Sequence, residues 1–199
     1  MKFPRITLAI IAVLILSGLF LLGSTRNDVW RNSISNGDWH TNANIGSKDA
    51  GVILRAAVSI GGLLASTRDD SIYYVLSSVD GEPLALSCDY RIVGGRYDAD
   101  WWSITAYGWD FYLIPNSEKR YSFNNENVTR DEAGDWVISM SAARAKGDWL
   151  PIGPSGAQGA DRDGKSEFDL LFRLYTPGDE YLSRPEAAPL PELSLVGCA

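Results

Sequence analysis

The stretch "WWSITAYGWDFYLIPNSEKRY", residues 101–121, decides the fold because its first seven residues alternate in polarity. Successive side chains of a β-strand point to opposite faces of the sheet. One face therefore carries Trp102, Ile104 and Ala106, which predicts a strand with this face in the core. The other face carries residues 101, 103, 105 and 107 (Trp, Ser, Thr and Tyr). This mixed face is either a binding surface or a face covered by another element.

The rest of the chain is rich in short β-prone runs. Residues 71–93, "SIYYVLSSVDGEPLALSCDYRIV", form two such runs joined at Asp80-Gly81, which is a strong hairpin signal. "WVISMSAA" (136–143) and "FDLLFRLY" (168–175) follow, and in the latter the alternate residues 168, 170, 172 and 174 are all apolar. The Pro-rich tail, 177–199, is expected to be extended. This pattern predicts an all-β dominated fold, specifically a β-sandwich.

One soluble helix is predicted before these strands. Ser47 is a suitable N-cap for a helix over residues 48–64. Apolar residues recur there at steps of three and four, which gives one apolar stripe: Ala50, Ile53, Ala57, Ile60 and Leu64.

The N-terminus carries a long uncharged run. Lys2 and Arg5 precede 18 uncharged residues, Ile6 to Gly23, which as a helix would span roughly 27 Å. A cleaved signal peptide is the alternative, but no A-x-A-like cleavage pattern follows the run. We therefore expect residues 1–23 to be a retained single-span anchor in the cytoplasmic membrane and residues 24–46 a polar juxtamembrane linker. Residues 47–199 would form a domain on the periplasmic, or extracytoplasmic, side.

The charge of the chain excludes one class of partner. The net charge is −7, and without Lys2 and Arg5 the remainder carries −7 − 2 = −9. Nucleic-acid binding depends on clusters of Lys and Arg, and the sequence contains no basic run. We predict no nucleic-acid partner.

The chain contains two cysteines, Cys88 and Cys198. In an oxidising compartment they can form one disulfide that ties the tail to an early strand. The alternative is two unrelated thiols, one of them on a frayed tail. We favour the disulfide.

Side chains for catalysis and metal binding are scarce. His40 is the single histidine and lies in the predicted linker, which argues against a catalytic triad and a zinc site. "DRDGKSE" offers Asp161, Asp163 and Glu167, but their spacing does not match a calcium loop, so a solvated acidic turn is favoured. We predict no metal and no cofactor, and no catalytic residue is assigned.

Five residues are candidates for binding. Trp101 and Tyr107 share the mixed face of the aromatic strand, where aromatic rings beside hydroxyl groups suit a sugar or a partner protein. Asn116, Arg120 and Tyr121 follow in "LIPNSEKRY" as a possible polar rim of a pocket. The structural alternative is that Asn116 bonds local backbone while Arg120 pairs with a carboxylate and packs on an aromatic ring.

The motifs together resemble a known family. "LRAAVSIGGL", "YYVLSSVDGEPL", "WWSITAYG", "LIPNSEKRYS", "GDWLPIG" and "FDLLFRLYTP" occur in an order and at spacings similar to those of domain of unknown function 1214 (DUF1214). The resemblance covers about residues 49–177 and implies a jelly-roll-like β-sandwich, which in longer relatives follows another uncharacterised domain. The family has no settled activity, so the resemblance assigns no catalytic residue. This chain departs from the usual pattern by a longer loop between "WLPIG" and "FDLLFRLY".

These observations favour a membrane-anchored envelope protein whose β-sandwich binds or scaffolds, with a protein partner or a carbohydrate as its ligand. One alternative is an envelope hydrolase that acts on a carbohydrate or cell-wall polymer. Another is an accessory subunit of a membrane protein complex.

Overall fold

The fold is dominated by β-strands. The computed structural model describes residues 33–42, 44–60, 66–108, 110–153 and 166–198, together with Val13, Ser17 and Gly18. In chain order the elements are β1 (Ile34–Asn36), β2 (Trp39–Thr41), α1 (Val52–Ile60), β3 (Ser71–Leu76), β4 (Ser78–Val79), β5 (Glu82–Pro83), β6 (Cys88–Gly94), β7 (Ala99–Gly108), β8 (Ser122–Asn124), β9 (Trp136–Ser141), β10 (Asp148–Pro151), β11 (Phe168–Pro177), α2 (Asp179–Ser183) and β12 (Glu192–Cys198). The prediction of an all-β dominated chain is confirmed.

The strands form two main sheets. One has the order β1-β2-β3-β11-β7-β8 and the other the order β10-β9-β6-β12, while β4 and β5 form a small ribbon. Neighbouring strands are antiparallel except β10 and β9, which run parallel. The sheets share one hydrophobic core, to which the strands of both contribute buried side chains.

The centre of this core is the β7–β11 pair, with the faces that the sequence predicted. Trp102 lies opposite Leu174 and Ile104 opposite Phe172. Trp102, Ile104 and Ala106 are 2%, 0% and 3% exposed. Across the core the ring of Trp102 stacks on that of Trp136 in β9, with 5.0 Å between ring centroids. The aromatic stretch is therefore first of all a core strand.

The Asp80-Gly81 turn forms as expected, but it connects two much shorter strands than the sequence suggested. Both residues have positive φ, 54° and 83°, and β4 pairs with β5 across them. The two longer runs on either side do not pair with each other, because β3 lies in the six-stranded sheet and β6 in the four-stranded one. The ribbon thus marks the crossing from one sheet to the other.

Residues 34–41 lie within the segment expected to be a linker, and here the structure differs. β1 and β2 form a hairpin that extends the six-stranded sheet. Trp39 is 4% exposed and its Nε1 donates to the carbonyl of Pro191 at 2.8 Å. The physical reason is the two-residue Gly37-Asp38 turn, in which Gly37 adopts φ 59°. Ordered structure thus extends to the N-terminal side of Ser47.

Helix α1 begins later than predicted. The Ser47 hydroxyl accepts a hydrogen bond from the backbone N–H of Asp49, and Ala50 N–H bonds to the Ser47 carbonyl. These bonds close a separate turn, so the helix starts only at Val52. Ala50 and Leu54 are buried, while Val52 is 83% exposed. Residues 61–64 of the predicted helix lie outside the described residues.

The C-terminal tail is more structured than an extended segment. It forms the short helix α2 and then β12, which pairs with β6. Cys198 lies opposite Cys88 in this pairing and the two are joined by a disulfide, which confirms the predicted bridge. The bridge closes the end of the β6–β12 pair.

The predicted anchor falls almost entirely outside the described residues. Of Ile6–Gly23, the structure describes Val13, Ser17 and Gly18. In the described part of the chain, no helix has the length and apolar character needed to cross a membrane. Asp161 and Asp163 of the acidic loop also lie outside the described residues.

Candidate functional site

The structure places Trp101 and Tyr107 on the outer face of the six-stranded sheet. Trp101 is partly buried, and its ring packs edge-on against that of Tyr175, with centroids 5.4 Å apart. The Tyr107 hydroxyl accepts a hydrogen bond from Nη2 of Arg173 at 2.7 Å, and the guanidinium lies over the Tyr107 ring at 5.4 Å. Arg173 was not predicted, although a lone cation in the apolar run "FDLLFRLY" was the available signal.

The middle of this face is buried from solvent. Ser103 and Thr105 lie between the two aromatic residues and are only 4% and 5% exposed. Thr105 also accepts a long hydrogen bond from Arg173, 3.4 Å. Trp101 and Tyr107 are thus separated positions at the two ends of β7, and they do not form one continuous platform.

Asn116, Arg120 and Tyr121 lie in the connection between β7 and β8. The Asn116 side chain donates to the carbonyls of Ile114 and Arg120 and accepts from Arg120 N–H. Arg120 donates to the Trp149 carbonyl at 3.1 Å and lies 5.6 Å from the centroid of the Phe123 ring. These are the local backbone bonds and aromatic packing of the structural alternative, with a carbonyl in place of the expected carboxylate. Tyr121 is partly buried.

A different set of residues surrounds a cavity of about 320 Å³ at one end of the two sheets. The cavity lies where the β6–β7 connection meets the turns that follow β8. We call it the end cavity; its lining residues are Arg96, Tyr97, Ala99, Trp102, Asn125 and Arg130.

Arg130 is held rigidly at this cavity. Its Nη1 donates two hydrogen bonds, to the carbonyl of Gly95 at 3.1 Å and to that of Gly134 at 2.7 Å. Its guanidinium carbon lies 5.9 Å from the centroid of the Trp102 ring, within the range of a cation–π interaction. Within the described residues, Nε and Nη2 have no hydrogen-bond partner. One edge of the guanidinium is therefore fixed to the protein and the other is available.

Arg96 brings a second cation to the same place. A Cβ on Gly134 would lie only 2.6 Å from Nε of Arg96, so the guanidinium packs directly over this glycine. Gly134 also has φ +92°, a conformation that other residues rarely adopt. The single ion pair in the described part of the chain is Arg144–Glu118. Arg96 and Arg130 thus converge on Gly134, and neither is paired with a carboxylate of the described residues.

Tyr97 forms the inner wall of the end cavity. Its ring makes edge-on contacts with Trp102, Trp136 and Phe172, at centroid distances of 5.7, 6.3 and 5.0 Å. Its hydroxyl is buried and has no hydrogen-bond partner of good geometry among the described residues. Burial raises the pKa of Tyr97 above its usual range, and the nearby Gly95 backbone offsets this only in part. The phenol remains neutral, so Tyr97 acts as a wall of the cavity.

Gly94 makes room for this wall. A Cβ there would lie 2.2 Å from the Tyr97 hydroxyl and 2.3 Å from the Trp136 ring. Sequence reasoning missed Arg96, Tyr97, Asn125 and Arg130 because they lie in connections without periodicity. The available signal was Gly94-Gly95 directly before an Arg-Tyr pair.

The described residues contain no group of three His, Cys, Asp or Glu side chains that could hold a metal ion. The arrangement at the end cavity is suited to holding an anion, because two guanidinium groups stand beside aromatic walls and an amide.

Two solved proteins are similar to parts of this chain. The crystal structure of the VPA0106 protein from Vibrio parahaemolyticus is similar with a TM-score of 0.57 and 22% identity, over 72% of this chain and 35% of that one. A putative uncharacterized protein from Burkholderia cenocepacia aligns at 15% identity and a TM-score of 0.38, over 64% of this chain and 29% of that one. This chain thus spans about a third of the length of both solved proteins. No curated protein matches it.

The likeness to VPA0106 concerns the fold alone. The family assignment has a separate basis, because the model of the family described as protein of unknown function (DUF1214) matches residues 70–179, more than half of the chain. The matched segment runs from just before β3 to the start of α2 and includes every lining residue of the end cavity. The chain belongs to the DUF1214 family.

Proposed function

We propose that this chain is a membrane-anchored envelope protein that binds a small ligand in the end cavity. In this proposal residues 1–23 hold it in the cytoplasmic membrane. The two sheets form a jelly-roll-like sandwich on the periplasmic, or extracytoplasmic, side. The uncharged run Ile6–Gly23 and the Cys88–Cys198 disulfide support this location, because disulfides persist in oxidising compartments.

The observation that carries the binding function is the state of Arg130. A guanidinium fixed by two backbone carbonyls and lying over the Trp102 ring at cation–π distance has lost much of its conformational freedom before any ligand arrives. Binding to such a preorganised group costs little additional entropy. The cavity volume, about 320 Å³, falls at the lower end of the range for small-molecule sites.

The chemistry of the lining favours binding over the hydrolase alternative. Two cations, an amide and aromatic rings hold and orient an anion. A glycosidase uses a pair of carboxylates across the scissile bond, and the six lining residues include no carboxylate. The carbohydrate ligand considered from the sequence remains compatible with the proposal as an acidic sugar.

The binding function can be tested by filling the end cavity. Ala99→Leu adds a branched apolar side chain at a lining position, and Ala143→Leu adds the same side chain at an exposed position as the control. A ligand library containing acids, amides and sugars is screened by thermal shift on the full-length chain in non-ionic detergent. We expect hits that disappear in Ala99→Leu and persist in Ala143→Leu. Hits that are equal in both variants would place binding elsewhere.

The topology is tested separately. A periplasm-dependent reporter enzyme fused after Ala199 should be active, and the intact mass of the purified protein should include residues 1–23. Activity of a cytoplasm-dependent reporter at the same position would contradict the proposed side of the membrane.

The accessory-subunit alternative has its own observation. Three consecutive residues of the β7–β8 connection expose apolar side chains, namely Phe111 (57%), Tyr112 (63%) and Leu113 (42%). A short exposed apolar segment of this kind is typical of a partner-protein contact. Replacing Phe111 and Leu113 with Ser should leave stability unchanged but reduce the size of any native complex, measured by native electrophoresis of solubilised membranes. An unchanged complex would remove this alternative.

A further inference from the structure

We propose that the ligand of the end cavity is a small organic monocarboxylate, bound through its carboxylate group to Arg130 and Arg96. This inference rests on the binding function proposed above and specifies the chemical class of the ligand.

The first argument is the geometry of Arg130. Both of its hydrogen bonds to the described residues use Nη1, on one side of the planar guanidinium. The Nε–H and Nη2–H groups on the opposite edge are parallel, and their spacing matches the two oxygens of a carboxylate. The described residues thus leave unoccupied the edge that makes the bidentate contact.

The second argument is the position of Arg96. Its guanidinium packs on Gly134, whose carbonyl also accepts a hydrogen bond from Arg130, so both cations contact this one residue. Like charges at short range repel each other. An anion between them removes this repulsion and gains attraction from both, so the cavity should favour a negative group over a neutral one.

The third argument limits the charge of the ligand. The chain carries a net charge of −7, and Asp135 lies beside Gly95 at the edge of the cavity, where it also acts electrostatically on Tyr97. This negative surrounding field disfavours a dianion such as phosphate relative to a single carboxylate.

The fourth argument concerns the rest of the ligand. Ala99 and the rings of Tyr97 and Trp102 provide an apolar wall beside the two cations. A bare inorganic anion would leave this wall in contact with water, whereas an organic ligand with a ring or short carbon skeleton covers it. The cavity therefore fits a small molecule with one carboxylate and one compact body.

The experiment compares pairs of probes that differ in the carboxylate. Benzoate is compared with benzamide and glucuronate with glucose, with inorganic phosphate as a further probe. Binding to the full-length chain in non-ionic detergent is measured by isothermal titration calorimetry. We expect at least one carboxylate to bind with 1:1 stoichiometry, about tenfold or more tighter than its neutral partner, since a hydrogen bond to a charged group contributes more than a neutral one.

Three variants locate the contact. Arg130→Lys keeps the charge but removes the two parallel N–H donors of the guanidinium. It should lower the affinity for the carboxylate about tenfold or more. Arg96→Gln, at an exposed side chain, should weaken it while leaving the fold intact. Arg91→Gln removes the same charge from an exposed position outside the cavity and should leave affinity unchanged.

Several results would overturn the proposal. These are equal affinity for acid and neutral partner, tighter binding of phosphate than of either carboxylate, full affinity in both Arg96→Gln and Arg130→Lys, and binding of no probe at all. If a neutral probe binds as well as its acid and Ala99→Leu abolishes both, the carboxylate class fails while the binding function stands. If Ala99→Leu affects no ligand, both proposals fail.

Discussion

Trp101 and Trp102 are adjacent in the sequence, yet replacing each with alanine should give very different losses of stability. Trp102 is 2% exposed and packs against three aromatic rings, those of Trp136, Tyr97 and Phe172, at centroid distances of 5.0, 5.7 and 5.9 Å. Removing a buried side chain of this size typically costs about 3–5 kcal/mol, because the lost transfer free energy is increased by the cavity left behind. The Arg130 guanidinium also loses the ring it lies over.

Trp101 points to the other face and has fewer contacts. It is partly exposed, and among the described residues its ring packs against that of Tyr175, which is itself 39% exposed. An aromatic pair of this kind contributes about 0.5–1.5 kcal/mol beyond its area burial. We therefore expect Trp101→Ala to lower the free energy of unfolding by about a third of the Trp102→Ala loss or less.

The assay is urea unfolding of the wild type and both variants, followed by circular dichroism. With a denaturant slope of about 2 kcal/mol per molar urea, a loss of 4 kcal/mol lowers the midpoint by about 2 M. Trp101→Ala should lower it by about 0.5 M on the same slope. Equal and small shifts for the two variants would refute the assignment of Trp102 to the core and with it the strand register of β7.

Three further perturbations follow from the structure. Cys198→Ser should lower the unfolding midpoint, with about 4–5 kcal/mol as the upper figure for a loop of this length, and mass mapping of non-reduced wild-type peptides should find Cys88 linked to Cys198. Gly94→Ala should lower stability by about 1–3 kcal/mol, because the added Cβ has no space beside the Tyr97 hydroxyl. An unfolding midpoint of this variant equal to that of the wild type would contradict this packing. Burial raises the pKa of Asp169, so its contribution to stability is complete below the unfolded pKa and is lost as pH rises through the folded pKa. Asp169→Asn should therefore flatten the dependence of unfolding free energy on pH across that window, measured by urea melts at several pH values, and an unchanged slope would refute the role of this carboxyl.

The faces of individual strands could be predicted from the sequence because alternation is a local property. In β7 and β11 the apolar residues recur at every second position, and those positions line the core. The sheet to which each strand belongs could not be predicted in this way. The run that became β3 and the run that became β6 are both β-prone, yet they lie in different sheets, because partner choice depends on contacts distant in sequence.

The candidate site was less predictable than the fold. Of the proposed cavity residues, Trp102 alone lies in a periodic stretch, and periodicity identified it as a core residue. Arg96 and Arg130 lie in separate connections, 34 positions apart in the numbering. They meet because β6 and β8 end, and β7 and β9 begin, at the same end of the sheets. Isolated arginines in loops are usual on protein surfaces, and apart from the glycine pair before Arg96 the local sequence distinguishes neither of them.

The structure also shows why core and binding site are difficult to separate in this protein. The ring of Trp102 is buried against Trp136, and it also lines the end cavity and lies beneath the Arg130 guanidinium. A substitution at Trp102 therefore changes stability and removes the support of a binding cation at the same time. Substitutions at Arg96, which is exposed, affect the cavity without disturbing the core. Binding measurements on Arg96 variants and stability measurements on Trp102 variants together can distinguish a binding role of the aromatic strand from a purely structural one.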